Sequence, residues 1–116
     1  MIIEHYRDQD LKELREKVIY FYKRFAEENL MTSDQLFYWH PETEGEYNDT
    51  WKVIKVLERY GYPSYYYDSV LYTFEFSEFD NPEKFVGDGL TFNQAVCNLF
   101  VSYGLAYEKR NLDRKI

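Results

Sequence analysis

From Leu11 to Phe25 the apolar and aromatic positions fall at Leu11, Leu14, Val18, Phe21, Tyr22 and Phe25, the three-and-four spacing of a helix with one apolar face. Asp10 followed by Glu13 has the form of a capping arrangement, and Glu13 with Lys17 sets opposite charges one turn apart. The period is lost between Asn29 and Asp49, where Trp39-His40-Pro41 precedes Glu42, Glu44 and Glu46, and a loop is predicted. Thr43 and Glu46 then form a candidate capping box. Beyond it Trp51, Val53, Ile54, Leu57 and Tyr60 line one side of a second helix that Gly61 should end.

The period changes from helical to alternating after Pro63. Tyr65-Tyr66-Tyr67, a turn at Asp68-Ser69, and the alternation of Val70, Tyr72, Phe74 and Phe76 with Leu71, Thr73 and Glu75 predict a β-hairpin. Asp80-Asn81-Pro82 marks a turn into a third strand around Lys84-Phe85-Val86, closed by Gly87 and Gly89. Thr91 and Gln94 make a second capping box, followed by Phe92, Ala95, Val96, Leu99, Phe100 and Tyr103 at helical spacing. Because the strands cluster between helical segments, the predicted class is α+β, with about three helices packed on an antiparallel sheet of about three strands. Residues 1–116 read as one domain, with residues 108–116 expected to fray.

Charge narrows the partners. Fourteen Lys and Arg against 21 Asp and Glu give a net charge of -7, which opposes direct nucleic-acid binding and favours a protein partner with a basic surface. The 13 Tyr read first as filling a small core whose edges reach water, yet 13 exceed what a core of this size needs, and tyrosine also suits surfaces that are buried only on binding. No apolar run is long enough to span a membrane, and Met1-Ile2-Ile3-Glu4-His5 has no secretory pattern, so the expected location is cytoplasmic. Cys97 stands alone, so no intrachain disulfide framework is expected.

Catalytic signals are sparse. His40 is the best single candidate for a general base, but no paired nucleophile accompanies it, and a hydrogen-bonding or exposed loop role is the expectation. Cys97, between Val96 and Asn98 within a helix, reads as a buried structural thiol. The acidic run lacks a calcium-loop pattern, and one Cys with two His does not make an ordinary zinc site. Gly87-Asp88-Gly89 before a helix is a weak phosphate-loop signal that turn chemistry explains equally well, with Asp88 opposing an anion. Neither catalytic residues, metal nor cofactor is therefore expected. Two acidic-aromatic patches stand out as partner surfaces. One holds Glu42, Glu44, Glu46, Tyr47 and Asp49, and the other Glu75, Glu78, Phe79, Asp80 and Glu83.

Trp39-x-Pro41, a helix with Trp51, Gly61 before aromatic strands, and Thr91 leading into Ala95-Val96-Cys97 together resemble the phage ABA sandwich domain family. The resemblance spans roughly Leu36 to Tyr103 and departs at Glu42, where that family usually has serine, and at Phe100, where a small residue is expected. It implies a small antiparallel sheet packed with helices and a phage or prophage origin, and it carries over no activity. The functional expectation is a non-enzymatic accessory protein that binds and inhibits a host protein concerned with defence or nucleic-acid handling. The alternative is sequestration of a nucleotide-like signal by tyrosine stacking in a pocket between subunits. A free edge at Tyr65-Tyr66-Tyr67 would leave self-association open.

Overall fold

The computed structural model describes residues 3–6, 11–29, 48–81 and 83–114. In chain order the elements are β1 (Ile3–Tyr6), α1 (Leu11–Glu28), α2 (Asn48–Glu58), β2 (Gly61–Tyr67), β3 (Tyr72–Glu78), β4 (Lys84–Gly89) and α3 (Phe92–Arg114). The class is α+β as predicted, with three helices and an antiparallel β2-β3-β4 sheet. The sheet order is β1-β4-β3-β2, so β1 adds a fourth strand, parallel to β4, that the sequence reading did not include. Four residues are too few to display a period of two, and this strand is recruited by its neighbour.

Helix α3 is the axis of the core. Its residues 95–104 are almost all buried, because β4 and β3 cover one side and α1 and α2 pack on others. Thr91 caps it: the Gln94 N–H donates to Oγ1 of Thr91 at 3.1 Å, while Oε1 of Gln94 accepts the Leu90 N–H at 3.1 Å. Helix α1 contributes Leu14, Val18, Phe21, Tyr22 and Phe25 to the core, the positions its spacing predicted after Leu11, and Lys17 meets Glu13 at 3.2 Å on the outer face. Fully buried Thr50 and Asn93 hydrogen-bond to each other, tying α2 to α3 and satisfying both polar groups away from water. The Asp10 and Thr43-Glu46 capping candidates lie outside the described residues.

One expectation is corrected within β4. Gly87 does not close the strand but lies inside it, on the face toward α3, while Gly89 on the same face is its last residue. A Cβ at Gly87 would stand 2.3 Å from the Leu99 nitrogen and 2.6 Å from the Ala95 carbonyl oxygen, so the missing side chain is what lets the helix backbone lie on the strand. Helix α3 continues to Arg114, and on it Tyr107 and Arg110 hold Glu28 of α1 and Glu78 of β3.

Alternation along the strands divides the sheet into two faces. Phe74, Phe76 and Phe85 point to the helices, with Gly87 beside Phe74 and Phe85 beside Phe76 in register. The opposite face carries Tyr62, Ser64 and Tyr66 on β2, Thr73, Glu75 and Ser77 on β3, and Lys84, Val86 and Asp88 on β4. No described helix covers that face.

Candidate binding surface

Among the described strands β2 has a neighbour on one side only, β3, so it forms an edge of the described sheet. The Phe79 N–H donates to the Tyr60 carbonyl at 3.1 Å and the Asp68 N–H to the Leu71 carbonyl at 3.2 Å, both continuing the β2–β3 register. In an antiparallel ladder this alternation is strict, so Tyr62, Ser64 and Tyr66 also turn their backbone groups to β3, while Gly61, Pro63, Tyr65 and Tyr67 turn theirs outward. Pro63 thus occupies a position where its missing N–H costs no ladder bond, the placement that proline requires in a strand.

The side chains of this edge are aromatic and uncharged. Tyr62, Tyr65, Tyr66 and Tyr67 are each more than half exposed, in a seven-residue strand without a single charge. Their rings are nevertheless supported. Tyr65 meets Phe92 edge-on at 4.9 Å, Tyr67 lies 4.5 Å from Tyr72, and Tyr62 meets Phe79 at 4.9 Å, so several rotors are already fixed in place. Edge strands usually carry charge to prevent pairing, and β2 has only Pro63 to blunt it.

Between this edge and α2 runs a cleft of about 200 Å³, lined by Trp51, Ile54, Glu58, Pro63, Ser64, Tyr65 and Phe74. Trp51, Ile54 and Glu58 recur along one face of α2, and Phe74 forms the floor between Tyr65 and the core. Trp51 was expected on the buried side of its helix; it is 41% exposed, because Val53, Ile54, Val56 and Leu57 fill the interior and leave the indole at the cleft margin. Its exposure could not be read from the helical period, since the cleft forms only where the tertiary structure brings α2 and β2 together.

The structure disperses the second acidic patch. Glu75 and Glu78 are three apart in a strand and therefore on opposite faces. Glu75 lies on the open face with Lys84 at 3.4 Å. Glu78 turns under the C-terminal half of α3, where Arg110 grips both carboxylate oxygens at 2.8 Å and the Tyr103 hydroxyl donates to Oε2 at 2.7 Å. Burial works to raise the Glu78 carboxyl, but the Arg110 and Tyr103 hydrogen bonds outweigh it and hold the group below its ordinary value. The Tyr103 hydroxyl is pushed far up, first by burial and then by the hydrogen bond it donates to the Glu78 carboxylate. Phe79 is exposed, Asp80 adopts a left-handed turn conformation, and the Glu83 N–H donates to Oδ1 of Asn81 at 3.0 Å. Of this patch, Phe79 alone joins the aromatic edge, through Tyr62. Of the first patch, Glu42, Glu44, Glu46 and Tyr47 lie outside the described residues, and Asp49 stands in the first turn of α2.

The remaining candidates are structural or outside the described residues. Cys97 is fully buried with its thiol donating to the Asn93 carbonyl, and burial pushes its pKa well above the ordinary thiol value. Asp88 sits within β4, its carbonyl accepting from Nδ2 of Asn98 at 2.6 Å, so Gly87-Asp88-Gly89 is strand and not a phosphate loop. His40 is outside the described residues. Among the described residues no three His, Cys, Asp or Glu side chains gather to hold a metal ion, and no helix is long and apolar enough to cross a membrane. No family model matches the chain, and no characterised protein or solved structure matches it significantly. The likeness to the phage ABA sandwich domains therefore stands on its sequence motifs alone.

Proposed function

We propose that this chain is a non-enzymatic binding protein whose working surface is the β2 edge, and that its partner is a protein. The observation that carries the reading is an uncharged, seven-residue edge strand with four tyrosines more than half exposed, in a chain of net charge -7. Aromatic rings held by neighbours contribute contact area with little rotor entropy to lose, and outward backbone groups offer further hydrogen bonds. The surrounding negative charge speeds encounter with a basic partner. In the phage setting that the sequence motifs imply, the partner is a host protein and the outcome of binding is inhibition.

Sequestration of a nucleotide-like signal is less well supported, because the cleft beside β2 is smaller than the usual 300–1,000 Å³ of ligand pockets and, among its described lining residues, the one charged group is a carboxylate. Native mass spectrometry of the tagged chain recovered from a bacterial lysate tests the proposal. Bound mass of protein size that is lost in a Tyr62→Ser, Tyr66→Ser double variant, with folding intact, is the expected result. Bound mass of metabolite size, or protein binding indifferent to those rings, refutes it.

A further inference from the structure

Resting on that protein-binding reading, we propose that the groove between β2 and α2 takes an extended, basic segment of the partner, which adds as a strand along Pro63–Tyr67 and places an arginine or lysine in the cleft beside Glu58. Two features of the groove point to a strand. The outward carbonyls of Pro63, Tyr65 and Tyr67 and the N–H groups of Tyr65 and Tyr67 offer a ladder with no described residue paired to it. Strand addition uses just such main-chain groups for affinity and takes specificity from pockets for alternate side chains. The groove supplies one such pocket, because Trp51, Ile54 and Glu58 on α2 stand over Pro63 and Tyr65.

The chemistry of the pocket selects the side chain. Its walls are the Trp51 and Tyr65 rings, both substantially exposed, and an aromatic face attracts a cation. Glu58 is exposed at the end of α2, and no described residue pairs with its carboxylate. A long basic side chain lays its alkyl stem against Ile54 and Pro63 and brings its charge to Glu58. A volume of about 200 Å³ suits one side chain and not a folded ligand. The net charge of -7 acts in the same direction over longer range.

Selection of a random displayed peptide library against the whole chain tests this, followed by amide chemical-shift mapping and affinity measurement on an enriched synthetic peptide. The expected peptides are extended in pattern with a recurrent Arg or Lys, and they shift the Tyr65 and Tyr67 amides and the Trp51 indole. Exchange of that arginine for uncharged citrulline, or Glu58→Gln in the chain, should each weaken binding about fivefold or more. Tyr67→Pro removes an outward N–H without removing a bond to β3, so it should weaken binding while the hairpin stays folded, as thermal melting would verify. Enriched peptides that map elsewhere, lack a basic residue, or ignore Glu58→Gln overturn the groove proposal and leave the protein-binding reading standing. Self-pairing through β2, seen as a dimer that Tyr67→Pro dissolves, also overturns it. No enriched peptide, together with no protein recovered from lysate, overturns both.

Discussion

Replacing Gly87 by alanine should lower the stability of the whole domain. The added Cβ would stand 2.3 Å from the Leu99 nitrogen, 2.6 Å from the Ala95 oxygen and 2.8 Å from the Leu99 Cα, where ordinary contact begins near 3.4 Å. All three are backbone atoms of α3, so no rotamer change relieves the overlap, and the helix must retreat by about 1 Å at its most buried turn. Overpacking of this kind costs about 1–3 kcal/mol, and the absence of a yielding side chain places this case toward the upper end. For a chain of this length that corresponds to a fall in Tm of roughly 10 °C. Paired urea and thermal denaturation followed by far-ultraviolet circular dichroism would measure it, with Leu90→Ala, at a 70% exposed site before α3, as the reference. The sign is informative, because alanine in a strand interior otherwise improves on glycine by about 0.5–1 kcal/mol. A Gly87→Ala variant as stable as the parent would refute the close approach of α3 to β4.

Glu78→Gln should destabilise by about 1–3 kcal/mol at neutral pH, near the lower end because Arg110 is 36% exposed, and chemical denaturation at two pH values would check it. Since folding depresses the Glu78 pKa, its contribution is present above the ordinary carboxylate value of 4.5 and is lost as pH falls through the lower folded value; the gap between parent and variant should therefore close in acid. Tyr103 acts in the opposite direction: its folded pKa is raised, so its contribution is complete below pH 10.0 and fades above it, and Tyr103→Phe should reduce the alkaline loss of stability. At the β2–β3 turn Ser69 holds φ at 80°, and Ser69→Gly should leave stability unchanged or raise it by up to about 1 kcal/mol in a thermal melt, since relief of left-handed strain exceeds or balances the added freedom of the unfolded chain. Reversal of Glu42, Glu44 and Glu46 to lysine should slow association with a basic partner, most at low salt; unchanged rates by stopped flow would remove that segment from the encounter.

Local order was legible in the sequence wherever a period ran long enough to show. The core positions of α1 and of the first three turns of α3, the Thr91-Gln94 cap and the alternation of Phe74 and Phe76 all follow from spacing, because a face that must be buried repeats along the chain. The aromatic excess likewise indicated more tyrosine than an interior needs, and Tyr62 and Tyr65–Tyr67 are where it stands exposed.

Tertiary structure alone decided which described strands are the edges, because strand order is set by which surfaces cover which: β1, from the far end of the chain, covers β4 and becomes one edge, and β2 is the other. It also decided that Glu75 and Glu78 do not form one surface: their three-residue separation within a strand sends one to the open face and the other to Arg110 on α3. The meaning of Gly87 and Gly89 is of the same kind. A glycine between a strand and a helix signals turn, loop or close packing with the same letter, and the choice among them belongs to the element that lies across it.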